Sequence, residues 1–176
     1  MDWATFASIV GALGVGSILT QHFASGQDRR QVRADVLGQL ARVEDARWAP
    51  SDIAPTIDDF TQTLREFETA ALIARLPREA VRQYVIYAFA ARSASSEGVE
   101  MDKAVGTYDP ELSGGLRAEF ADAVRDEANE IAQLAWAPWR GRVRLASRLR
   151  KRQAANAVSP GSLKHAESVL GKLPRP

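Results

Sequence analysis

The chain has 176 residues, enough for one domain with a sizeable core. It contains no Cys, which excludes disulfides, thiolate nucleophiles and Cys-based zinc sites. Its net charge of +1 conceals a division: residues 51–138 carry 8 basic and 16 acidic side chains, whereas residues 139–176 carry 10 basic side chains against Glu167 alone.

Residues 1–50 are balanced. An acidic middle and a basic tail either attract each other within the molecule or offer the tail to an acidic partner: phospholipid, nucleic acid or protein. Arg outnumbers Lys by 19 to 4 and Ala is abundant, a composition typical of GC-rich bacterial genomes.

Residues 3–23 hold no Asp, Glu, Lys or Arg, and Arg29, Arg30 and Arg33 follow. At the helical rise this run spans about 30 Å, the thickness of the bilayer hydrocarbon. The expectation is a single transmembrane helix over residues 1–24. The positive-inside rule orients it in the inner (cytoplasmic) membrane with the N-terminus outside and the C-terminus in the cytoplasm. Trp3 suits the outer headgroup region, and His22 marks the inner boundary as a polar interfacial residue. The pairs Ala7/Gly11 and Ala12/Gly16 fit the small-xxx-small pattern, so the span offers a face for homodimer packing in the membrane. Two alternatives compete. A signal peptide needs positive charge before the apolar run, where only Met1-Asp2 stands, and no convincing small-x-small cleavage site follows the run. A buried helix of a soluble protein fits the small residues Gly11, Gly14 and Gly16. The run GALGVGS lacks both the GxGxxG spacing and a Walker lysine, so nucleotide binding is discarded.

After a weak point at residues 24–27, helical periodicity resumes over 28–48, a stalk (domain 25–48) whose apolar stripe is Val32, Val36, Leu40 and Val43. The stripe pairs with a second copy or packs on the domain. Pro50 and Pro55 break the chain. A second helix is expected over 56–75, with Ile57, Phe60, Leu64, Phe67, Ala71 and Ile73 inward. Pro77 opens a third over 77–95, whose centre YVIYAFAA is apolar all round, the mark of a central bundle helix. Tyr84 and Tyr87 read as core residues with bonded hydroxyls. Residues 96–115 read as a connection. A fourth helix over 116–134 buries Leu116, Phe120, Val124, Ala128, Ile131, Leu134 and Ala135. Its Glu119, Asp122, Asp126, Glu127 and Glu130 read as a solvated acidic face. Carboxylates at this spacing can hold a metal in a helical bundle, but the usual di-metal bundle needs Glu-x-x-His pairs and no His is available here.

A fifth helix is expected over 139–154, basic and amphipathic, closing the bundle domain 49–155. One face carries Arg140, Arg144, Arg148, Lys151 and Arg152; Trp136, Trp139, Val143, Leu145, Ala146 and Leu149 spread over the other. Trp136 and Trp139 are expected at an interface, and the basic face meets anionic lipid, an acidic partner or the acidic fourth helix. The tail, 156–176, breaks at 159–161 and carries a short helix over 162–173, with His165 on its surface.

The fold class is therefore all-α: one N-terminal transmembrane helix and a cytoplasmic bundle of about four to five helices. No His-Glu-x-x-His motif, Gly-x-Ser-x-Gly elbow or other catalytic constellation is present, and no cofactor is implied. The leading expectation is a non-enzymatic scaffold or adaptor at the inner membrane. Its partners are the bilayer, a second copy, anionic lipid and a protein of unknown identity. Nucleic acid bound through residues 140–152 of a soluble bundle is the alternative, and a membrane-perturbing lysis or toxin component a third.

Overall fold

A computed structural model describes residues 15–49, 53–109, 118–137 and 142–172, with side-chain surroundings for 29–49, 53–109, 119–137 and 142–171. The described residues form helices and no strands: α1 (Val15–Trp48), α2 (Ile57–Ile73), α3 (Arg78–Val105), α4 (Ala118–Trp136), α5 (Leu145–Ala155) and α6 (Pro160–Lys172). The chain is all-α, as its periodicities predict.

α1 runs unbroken through 24–27, so a single Gly at position 26 does not end it. From Val36 onward it enters the core through Val36, Leu40 and Val43. The stripe is therefore buried within the chain's own bundle. The start of α2 is set locally. The Thr56 hydroxyl accepts the Asp59 N–H at 3.1 Å and donates to the Asp59 carboxylate at 2.7 Å. Asp58 and Asp59 sit in the first turn, where negative charge suits the helix dipole. Its inward stripe is Phe60, Leu64, Phe67 and Ala71. Ile73, expected inside, is 66% exposed. It lies two residues past Ala71, about 200° around the helix, so the stripe has turned away from it.

α2 ends with Leu76 N–H bonded to the Ala71 carbonyl and Arg75 N–H to the Leu72 carbonyl, both at 2.9 Å. Arg75 takes the left-handed position of this Schellman turn, φ 58°, where Gly is usual. The turn sends α3 back antiparallel to α2. The Phe67 and Tyr84 rings meet edge-on at 5.0 Å, and Arg92 donates to the Pro55 carbonyl at 2.9 Å.

α3 runs ten residues past its expected end at Ser95; the connection begins only at Gly106. Glu97, Glu100, Met101, Lys103 and Ala104 are good helix formers, and Lys103 pairs with Glu100 at 2.9 Å. Together they outweigh Gly98, which costs about 1 kcal/mol. Gly106 stops the helix at φ 75°. α3 is central, packing on α1, α2, α4 and α6, while α1 also meets α2 and α4. Tyr84, Ala88, Phe89 and Ala91 of α3 lie in one core with Phe60, Phe67, Phe120, Ile131 and Leu134.

The basic fifth helix is shorter than expected. Arg144 adopts φ 57° and α5 begins at Leu145, so the face running from residue 140 to 152 is interrupted. A left-handed residue cannot continue a right-handed helix. Leu145 and Leu149 are buried, whereas Val143 and Ala146, assigned to the same apolar side, are exposed. α6 starts at Pro160, two residues earlier than expected. The Ser159 hydroxyl accepts the Gly161 N–H at 3.2 Å, and Pro fits the first helical position, where no N–H is needed.

Candidate functional site

α5 is tied to α4 by two arginine side chains in antiparallel register. Arg148 donates to Glu130 at 2.5 Å and to the Val143 carbonyl at 2.6 Å. One turn on, Arg152 reaches the other Glu130 oxygen at 2.9 Å and the Asp126 carbonyl at 3.0 Å. Glu130 is completely buried. A carboxylate out of water is tolerable there because two guanidiniums neutralise it.

Beside it, Glu127 is 2% exposed. Gln83 of α3 donates to one of its oxygens at 2.9 Å, and the other has no hydrogen-bond partner among the described residues. Burial pushes the Glu127 carboxyl up to about 7. The nearby Arg152 charge and the Gln83 bond oppose the shift, and Glu130 and Asp126 add to it. Next to this pair, the Asn156 amide donates to the Tyr87 hydroxyl and its oxygen accepts the Val158 N–H at 3.2 Å. Gln83, Tyr87, Glu127, Glu130, Arg148, Arg152 and Asn156 thus form a polar seam that fastens the C-terminal helices to the bundle.

The acidic face of α4 is therefore divided. Glu119, Asp122 and Asp126 are exposed as expected, but Glu127 and Glu130 are not. Their spacing contained the signal. Phe120, Val124, Glu127, Ile131 and Leu134 continue one stripe at intervals of three and four, and Glu130 adjoins it. Charge alone suggested solvent.

A second buried network crosses the core. Tyr84 donates to Glu44 at 2.8 Å, and Arg47, one turn along α1, pairs with the same carboxylate. Burial, then the Glu44 charge and hydrogen bond, hold the Tyr84 hydroxyl well above its usual range. The Arg47 guanidinium also lies 4.7 Å from the Trp48 ring centre.

One end of the bundle has a different character. Arg142 donates to the Arg75 carbonyl at 2.8 Å, which ties the segment before α5 to the turn between α2 and α3. Arg148 meets Glu130 and Arg152 meets Asp126, so the start of α5 points toward the C-terminal end of α4. Ile73, Trp136 and Val143 are 66%, 72% and 63% exposed at this end. Arg75, Arg142 and Arg144 are exposed among them. None of these three arginines forms an ion pair among the described residues.

The predicted site residues thus separate. Arg148 and Arg152 serve the internal seam. Arg144 and Trp136 stand at the exposed end, and Lys151 is exposed on α5. Trp3, Ala7, Gly11, Ala12, Trp139 and Arg140 lie outside the described residues. Gly16 falls on α1, ahead of the residues whose surroundings are described. Ile73, Arg75 and Arg142 complete the exposed end, and sequence reasoning did not single them out for it. Among the described residues no helix is long and apolar enough to cross a membrane, and no three His, Asp or Glu side chains converge. Comparison with known proteins finds no matching family model, no similar curated protein and no similar solved structure.

Proposed function

We propose that the protein is a non-enzymatic adaptor at the cytoplasmic face of the inner membrane, held there by its N-terminal segment, with the Ile73–Trp136–Arg144 end of its bundle turned to anionic lipid. The observation that carries this reading is the joining of exposed Ile73, Trp136 and Val143 with Arg75, Arg142 and Arg144 at one end. Apolar and aromatic side chains suit the headgroup boundary, and each well-placed Arg contributes about 1 kcal/mol on an anionic surface. Two further features support it. The uncharged run at residues 3–23 has the length of a span, and α1 continues from its second half into the core without a break. A helix continuous from anchor to core is a stiff link, suited to presenting the bundle at a set distance.

The end face is tested by flotation of the full chain with anionic and with neutral vesicles. The combined variant W136A/R142E/R144E is expected to lose the preference for anionic vesicles by more than tenfold. An unchanged preference overturns the assignment of this face, as does salt-sensitive binding of DNA or RNA by it in place of lipid. The anchor is tested separately by alkaline carbonate extraction of membranes: release of the protein into the supernatant refutes it.

A further inference from the structure

A groove of about 400 Å³ runs between α2, α3 and α6, within the size range of small-molecule sites. Its floor is apolar: Leu64, Val81 and Val85 are buried beneath it, and Leu170 of α6 forms a wall. Thr61, the hydroxyl in the lining, already donates to the Ile57 carbonyl at 2.7 Å. Charge lies along the rim and is uneven. Arg82 is held by Glu167 at 2.7 Å, a bridge that ties α6 to α3 across the groove. Arg65 and Arg78, also in the lining, have no ion-pair or hydrogen-bond partner among the described residues. Glu68 contributes the remaining charge. The rim is left with two unpaired cations against one carboxylate.

We propose that this groove binds a single-chain amphiphile with one negative charge, a medium-chain fatty acid, its hydrocarbon on Leu72, Ile86 and Leu170 above buried Leu64, Val81 and Val85 and its carboxylate at the rim that carries Arg65 and Arg78. Apolar floor and cationic rim match the two halves of such a molecule. Guanidiniums bind carboxylates in a two-pronged geometry that a neutral headgroup cannot reproduce. Glu68 on the same rim repels each added negative charge, so one charge is favoured over two. Gly171 also lines the groove, and a Cβ added there meets nothing within 4 Å, so the mouth beside α6 is open. The groove reaches Leu72 and Arg78, next to the turn that carries Ile73 and Arg75, but shares no residue with the proposed lipid-facing end.

The test is fluorescence titration of the full chain with a dansylated medium-chain fatty acid kept below its aggregation concentration, and competition by unlabelled laurate and by dodecanol. Saturable one-to-one binding is expected, with laurate competing at least tenfold better than dodecanol. R65E/R78E weakens binding at least tenfold, and R65Q/R78Q, which removes the positive charges without adding negative ones, weakens it less. G171W fills the mouth and removes binding while far-UV circular dichroism stays unchanged. Shortening the acid by two methylenes weakens binding roughly tenfold. W136A/R142E/R144E binds the acid as the unaltered protein does. Absence of saturable binding overturns the proposal, as does equal competition by dodecanol, or G171W binding with unchanged affinity.

Discussion

Replacing Glu127 by Gln separates the electrostatic burden of the polar seam from its shape. The Glu127 carboxyl is pushed up to about 7 from an ordinary 4.5 because it is buried with one oxygen unpartnered. A carboxyl raised in the folded state contributes stability that is fully present below its unfolded value and is lost as pH climbs through the folded one. The folded chain holds the proton between these two values while the unfolded chain releases it, so stability falls with rising pH. At 1.36 kcal/mol per unit, the full loss is about 3 kcal/mol, of which roughly 2–3 kcal/mol falls between about pH 5 and about pH 8. E127Q keeps the acceptor for Gln83 and cannot ionise. Urea unfolding followed by circular dichroism should show E127Q close to the unaltered protein near about pH 5 and more stable by roughly 2–3 kcal/mol near about pH 8. Comparing the two proteins cancels the titration of the carboxylates that do not interact with Glu127. Parallel pH profiles for both refute the reasoning, because they place the ionised carboxylate in a site that tolerates it.

Two other substitutions probe the scaffold. Y84F removes the donor to Glu44 and leaves that carboxylate with Arg47 alone; thermal or urea unfolding should show a loss of about 1–2 kcal/mol. R75G removes the Cβ clash of a left-handed residue at the end of α2 and should stabilise the chain by about 1 kcal/mol, read as a higher unfolding midpoint with an unchanged denaturant slope.

Residues whose roles are set by local periodicity were legible from the chain alone. The apolar stripes of α2 and α4, the Thr56 start, the central burial of YVIYAFAA and the burial of Tyr84 and Tyr87 all follow from spacing, because a helix converts sequence intervals of three and four into one face. The α3 terminus was misplaced because Ser-rich and Gly-containing text looks like a connection, whereas summed helix propensity carries it on to Gly106. The break at Arg144 was invisible, since no Gly or Pro marks that left-handed residue.

Tertiary structure decided which charges face solvent. Arg144, Arg148, Lys151 and Arg152 are equivalent as text. The placement of α5 beside α4 sets Arg148 and Arg152 on Glu130 and leaves Arg144 and Lys151 outside. It also brings Ile73, Trp136 and Arg142 to one end of the bundle from three separate stretches of chain, and sets Arg65 and Arg78 around an apolar floor. Such groupings depend on the distances between helices, which periodicity within one helix does not contain. Sequence determined the helices and most of their buried stripes; only their assembly assigned each charge a partner, because electrostatic energy depends on separation in space and on exclusion of water.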